Sequence, residues 1–105
     1  MIHRGEVYDV DFPQAGPHPA IVVTREQAIP VLSSVTVVLV TTTVRGHPAE
    51  VELGPSNALD LADAVANCDD FATVPKPRLG RYRGRVSVEE GVALDGALKI
   101  ALGLD

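Results

Sequence analysis

The sequence predicts a mainly β protein with one C-terminal helix, a curved antiparallel sheet or small barrel that the helix closes off. Three observations carry this. Arg4 to Phe12 and Ala49 to Leu53 alternate apolar with polar residues, as half-buried strands do. Val35 to Val44, VTVVLVTTTV, is the most β-branched run in the chain. The one amphipathic segment comes last and opens on Ser87-Val88-Glu89-Glu90, a capping box.

At 105 residues the chain has room for one modest core, so a single domain over 1–105 is expected. A hydrophobic content of 46% with 22% charged residues places it among ordinary globular proteins. No apolar run approaches the roughly 20 residues of a membrane span, and Met1 to Glu6 has no signal-peptide core. The expected location is the cytoplasm, with no membrane partner. The single cysteine, Cys68, rules out an internal disulfide and a cysteine-rich metal site, leaving a small buried hydrophobe.

In chain order, RGEVYDVDF forms a first strand, and Pro13 to Pro17 form a loop. His18 to Thr24 reads as a second, central strand, because Ala20 to Val23 is apolar on both faces. Arg25 to Ile29 suggests one helical turn stopped by Pro30. Val35 to Val44 is the third strand. Arg45-Gly46-His47-Pro48 turns the chain into a fourth, AEVEL, and Gly54 to Asn57 turn it again. Leu61 to Val65 and Asn67 to Val74 read as two short strands, with Asp69-Asp70 weakening the second. The helix places Leu94, Leu98, Ala101 and Leu102 on one face and stops at Gly103.

The net charge of −5 argues against a nonspecific nucleic-acid coat, but the mean hides an asymmetry. Five of the nine basic residues fall between Lys76 and Arg85, a stretch without any acid. Tyr82 sits among its arginines, so this segment is suited to holding phosphates and stacking a base, or to receiving an acidic peptide. The second polar feature is Gly16-Pro17-His18-Pro19, where a titratable imidazole is held between two stiff residues at the start of a strand. His3 and His47 read as solvated, and a zinc site from the three histidines matches no ligand spacing.

Five segments in this order, RGEVYDVDF, QAGPHPAIVV, LVTTTVRGHPAEVEL, LADAVANCDDFATVPKPRL and the closing helix ending ALGLD, resemble the MazF/PemK/Kid family of toxin endoribonucleases over nearly the whole chain. The resemblance implies an SH3-like antiparallel barrel that dimerises with itself. It also implies metal-independent cleavage of single-stranded RNA, without a cofactor, and silencing by a cognate MazE-like antitoxin. The related CcdB toxins share the fold but bind gyrase, so a non-catalytic binding toxin or a weakened family member is the alternative. Three departures stand out. The residue before Pro-Ala-Ile-Val is usually a catalytic arginine and here is His18. Gln14 is kept in a shorter loop, where Pro13 replaces the usual glutamate. A later Asp-Gln-(Ile/Val)-Arg-(Thr/Ser) motif reads Asp69-Asp70-Phe71-Ala72-Thr73.

Such cleavage uses the RNA's own 2′-hydroxyl as nucleophile and leaves a 2′,3′-cyclic phosphate. It needs a proton donor or acceptor and a group that steadies the phosphate. The resemblance puts His18 in the acid/base role and matches Thr41 to the threonine that contacts the scissile phosphate. A histidine suits proton transfer near neutral pH better than the arginine it replaces. Thr42 and Thr43 are candidate substrate contacts beside Thr41, with strand alternation favouring Thr43 for the same face. Gln14 is another, and Arg81, Arg83 or Arg85 are candidates to restore the lost positive charge. Asp69 and Asp70, as neighbours on a strand, are expected on opposite faces.

Overall fold

The computed structural model describes residues 1–54 and 63–104. Six strands form one antiparallel sheet: β1 (Glu6–Phe12), β2 (Gly16–Val22), β3 (Ser34–Thr41), β4 (Glu50–Leu53), β5 (Ala64–Pro75) and β6 (Tyr82–Arg85). A single helix, α1 (Val88–Ala101), follows them. The spatial order is β4-β5-β3-β2-β1-β6, so β2 and β3 are central and β4 and β6 are the edges. This is the mainly β class with a C-terminal helix that the alternation implied.

Both faces of the central strands are covered. Ile21, Val38 and Val40 on one face pack with Leu94 and Ala97 of α1. Ala20, Val22, Val35, Val37 and Leu39 on the other face pack with Val10 and Phe12 of β1 and Val74 of β5. β1 and β5 are separated in the sheet by two strands, so their contact shows that the sheet curls into a half-barrel around this second cluster. Burial on both sides is the reason the middle of β2 is continuously apolar.

The β1–β2 hairpin pairs Phe12 with Gly16 across Pro13, Gln14 and Ala15. Gly16 has φ +77°, the left-handed residue that a three-residue hairpin loop requires. The segment expected as a helical turn after β2 is a run of turns, with the Ala28 N–H bonded to the Arg25 carbonyl. Pro30 and the lack of a cap leave a helix nothing to propagate from.

β3 is shorter than its sequence suggests. It ends at Thr41, which pairs with Val65 near the start of β5 in the last pair of the ladder among the described residues. The Thr43 N–H bonds the Thr41 Oγ1 at 3.2 Å, which turns the chain out of the strand. Beyond it, the two short strands expected between Leu61 and Val74 are one strand, β5, from Ala64 onward. Between the pairs Leu39–Asn67 and Val38–Phe71 the register slips, and Cys68, Asp69 and Asp70 form a bulge. That bulge exposes both carboxylates, so alternation does not apply to them. Leu61 and the Pro55 to Asn57 turn lie outside the described residues.

Helix α1 begins as its sequence predicts. The Ser87 side chain accepts from the Glu90 N–H at 3.1 Å, and the Glu90 carboxylate accepts from the Ser87 N–H at 2.8 Å. Its inward face is Leu94 and Ala97, with Leu98 and Ala101 half-buried, whereas Leu102 remains exposed at the C-cap. Among the described residues no helix is long and apolar enough to cross a membrane.

One buried polar pair gives the fold a pH signature. The Tyr8 hydroxyl donates to Glu6 Oε1 at 2.9 Å, and the His3 N–H donates to the same oxygen at 2.7 Å. Burial first, then the Glu6 bond, raises the phenol from its ordinary 10.0 to about 12. The folded state therefore favours the neutral phenol. Its contribution to stability is full below pH about 10 and is lost as pH rises through about 12. Thermal unfolding followed across that window should show a fall in midpoint that is smaller in Tyr8→Phe.

Candidate active site at the ends of the second and third strands

His18 lies three residues into β2, opposite Val10 of β1. Its setting follows from the two prolines beside it. Val23 donates its N–H to the Thr36 carbonyl at 2.9 Å, and Ile21 pairs with Val38. Two residues further, the same register sets position 19 against Val40, but Pro19 has no N–H to give. The Val40 carbonyl instead faces His18 Nδ1 at 3.3 Å. The imidazole thus fills a gap that proline opens in the ladder. Its other nitrogen, Nε2, lies 3.1 Å from the Ala15 carbonyl. A neutral imidazole carries one N–H and satisfies one of these two acceptors, whereas an imidazolium donates to both.

Continued beyond the last pair, Ala20–Leu39, the same register sets Thr41 against His18. Both belong to the face lined by Phe12 and Leu39, and the Phe12 ring meets the His18 ring edge-on at a centroid distance of 6.4 Å. Gln14 sits exposed in the adjoining hairpin loop, next to the Ala15 carbonyl that His18 faces. His18, Thr41 and Gln14 are therefore brought to one end of the sheet. Thr41 keeps its hydroxyl hydrogen free while its oxygen accepts from Thr43. Thr42 and Thr43 are exposed just past the strand end, so the alternation that favoured Thr43 does not operate.

The arginines behave differently. Arg83 Nη1 contacts Asp9 Oδ1 at 2.9 Å, and Arg81 uses its carbonyl to accept the Asp9 N–H at 2.9 Å. Arg85 pairs in register with Glu6, whereas His18 pairs with Val10. Four residues along β1 separate those positions by about 13 Å, with two strand spacings added across the sheet. The edge strand β6 thus carries Arg85 away from the His18 end, while the Arg83 side chain reaches back to Asp9, the register partner of Pro19. Tyr82 is packed edge-on against Tyr8 at 5.5 Å, leaving half its surface exposed.

Two groups in this region are absent from the motif reading. Asn67 is a buried polar residue paired with Leu39, and its Oδ1 accepts the Asp69 N–H at 3.1 Å, which shapes the bulge. His47 is not solvated. Its Nε2 lies 3.7 Å from Glu50 Oε2 and its Nδ1 3.6 Å from Asp69 Oδ2, and Nδ1 is buried without a hydrogen bond. Glu50 in turn accepts the Arg45 and Gly46 N–H groups at 2.8 Å each. The Arg45 bond above all holds its carboxyl below the ordinary value. Burial raises the Cys68 thiol to about 11, which keeps it protonated and inert at neutral pH. Among the described residues no group of three or more His, Cys, Asp or Glu could hold a metal ion.

A curled six-stranded antiparallel sheet with one C-terminal helix is the fold of the small plasmid-maintenance toxins. The chain belongs to the PemK-like, MazF-like toxins of type II toxin-antitoxin systems, whose family model matches residues 3–102. It is 39% identical to the endoribonuclease MazF3 of Mycobacterium tuberculosis over 83% of this chain and 84% of that one. To the endoribonuclease MazF4 of the same species it is 35% identical over 96% and 92%. Among solved structures, a mycobacterial endoribonuclease in complex with its cognate antitoxin superposes with a TM-score of 0.91 at 33% identity, covering 100% of this chain and 98% of the other. The M. tuberculosis toxin MazF-mt6 gives 0.82 at 34% identity, covering 95% and 98%.

Proposed function

We propose that this chain is an endoribonuclease toxin that cleaves single-stranded RNA in the cytoplasm and is held silent by a cognate MazE-like antitoxin. The observation that carries the reading is the His18–Thr41 row at the sheet end, in a chain that shares its length and fold with named MazF endoribonucleases.

In this mechanism the 2′-hydroxyl attacks the adjacent phosphorus and the P–O5′ bond breaks, leaving a 2′,3′-cyclic phosphate and a 5′-hydroxyl. Nδ1 of His18 stays on the Val40 carbonyl and fixes the ring, while Nε2, facing the hairpin loop, takes the 2′-hydroxyl proton as the attack proceeds and delivers it to the 5′-oxygen as the P–O5′ bond breaks. Thr41 donates its hydroxyl to a non-bridging phosphate oxygen. Gln14, Thr42 and Thr43 line the approach from the two flanking loops. Protonated His18 carries the positive charge that an arginine holds in the family, so the charge depends on pH. Arg81 and Arg83 both meet Asp9, the register partner of Pro19, and stand closer to this end than Arg85, which guides RNA from further away. The active form is a homodimer. No metal or cofactor takes part.

Purified protein incubated with a mixed RNA pool in chelator tests the reading. Cyclic-phosphate ends are expected. Intact RNA accompanied by inhibition of gyrase supercoiling would replace it with a binding toxin of the CcdB kind.

A further inference from the structure

The curl of the sheet leaves a cavity of about 410 Å³ at its seam, where the end of β1 faces the end of β5. Val10 and Phe12 from one strand and Ala72 and Val74 from the other make its apolar lining, and Asp11 and Arg78 stand at its margins. Arg78 ends the short 3₁₀ turn that follows β5 (Lys76–Arg78). Both side chains are exposed, and neither takes part in an ion pair or hydrogen bond among the described residues. A cavity of this size with an apolar floor and a few polar groups is of the kind that takes a small planar ligand.

We propose that this cavity binds a guanine base of the RNA, a specificity site that rests on the nuclease reading above. The chemistry selects the base. A guanidinium fork presents two N–H donors to O6 and N7 on one edge of guanine. A carboxylate offers two acceptors to the N1–H and the amino group on its other edge. Adenine carries an amino group where guanine has O6, so it turns a donor toward Arg78. Uracil and cytosine have no second ring and no N7. A donor fork and an acceptor pair lining one apolar slot therefore match the edges of guanine better than those of the other three bases. The cavity also lies beside the chemistry. Val10 in its wall is the register partner of His18, and Phe12 in its wall touches the His18 ring edge-on. One strand spacing, about 4.8 Å, separates β1 from β2, which puts the bound base within a nucleotide or two of the cut phosphate.

The test is a ¹H–¹⁵N titration of the intact protein with GMP, AMP, CMP and UMP, repeated for Arg78→Gln and Asp11→Asn. Both substitutions are on the surface, and an unchanged spectrum outside the cavity verifies the fold. GMP is expected to shift the Ala72 and Val74 amides saturably, at least about tenfold more tightly than AMP. Each substitution should weaken GMP by roughly 5- to 150-fold, the worth of one bidentate base contact. Equal binding of all four nucleotides, no GMP shift at these amides, or undiminished GMP binding by Arg78→Gln overturns the proposal. This readout needs no catalysis, so GMP binding by a protein that leaves RNA intact would reject the nuclease reading alone. Where RNA is cut, the mapped sites should share one guanine at a fixed position, and Arg78→Gln should relax that preference. Cut sites without a common guanine overturn the proposal and leave the nuclease reading standing.

Discussion

His18→Ala is expected to lower the rate of RNA cleavage by about 10²- to 10⁴-fold, the range that one positioned proton-transfer group contributes. Single-turnover cleavage of an excess-enzyme mixture measures this without interference from product release. The structure adds a control. The ring also occupies the Val40 carbonyl where Pro19 cannot, so its removal also loosens the strand ends. His18→Gln keeps a donor of similar reach for that carbonyl but has no titrating proton. A proton-transfer role predicts that Gln restores the thermal midpoint and leaves the rate near that of Ala. A purely structural role predicts that it restores both.

Ile21→Ala is expected to cost about 2–5 kcal/mol, the range for emptying a well-packed aliphatic site. Ile21 has no exposed surface and lies in the middle of the central strand β2, against Val38 and the helix residue Leu94. Its neighbours belong to a sheet fixed on both sides and to a helix docked on it, so the cavity has little freedom to collapse. A domain of this size holds roughly 5–15 kcal/mol in total, so the loss is a large part of its stability. Urea unfolding should show the midpoint fall with an unchanged slope. A cost under about 1 kcal/mol would contradict tight packing of the core around β2.

Much of the architecture was legible because each signal was local. The capping box at Ser87 and Glu90 formed as written, and the alternation in RGEVYDVDF and AEVEL gave β1 and β4. Signals that depended on the folded course of the chain were not legible. Thr42, Thr43 and Val44 have strand-forming residue types, but the Thr41 hydroxyl captures the Thr43 N–H and turns the chain away, so β3 stops at Thr41. Asp69 and Asp70 divide an apolar pattern, and only the register with Val38 and Leu39 reveals a bulge inside one continuous strand.

The candidate site divides in the same way. The Pro-His-Pro motif marked His18 as rigid, yet its partner, the Val40 carbonyl, becomes visible only when β2 is laid against β3. The basic run from Lys76 to Arg85 reads as one patch in sequence. In space a turn and an edge strand divide it, with Arg78 at the seam, Arg83 on Asp9 and Arg85 at the Glu6 end of β1. His47 read as solvated because neither Glu50 nor Asp69 announces itself as its neighbour until the bulge is formed.

The most direct measurement uses an RNA oligonucleotide that the protein cuts once, and a copy of it with a single 2′-deoxy sugar on the 5′ side of that bond. Attack by the RNA's own hydroxyl at the His18–Thr41 row predicts that the modified bond stays intact and that the unmodified strand ends in a 2′,3′-cyclic phosphate. Cutting of the deoxy-substituted bond would contradict it.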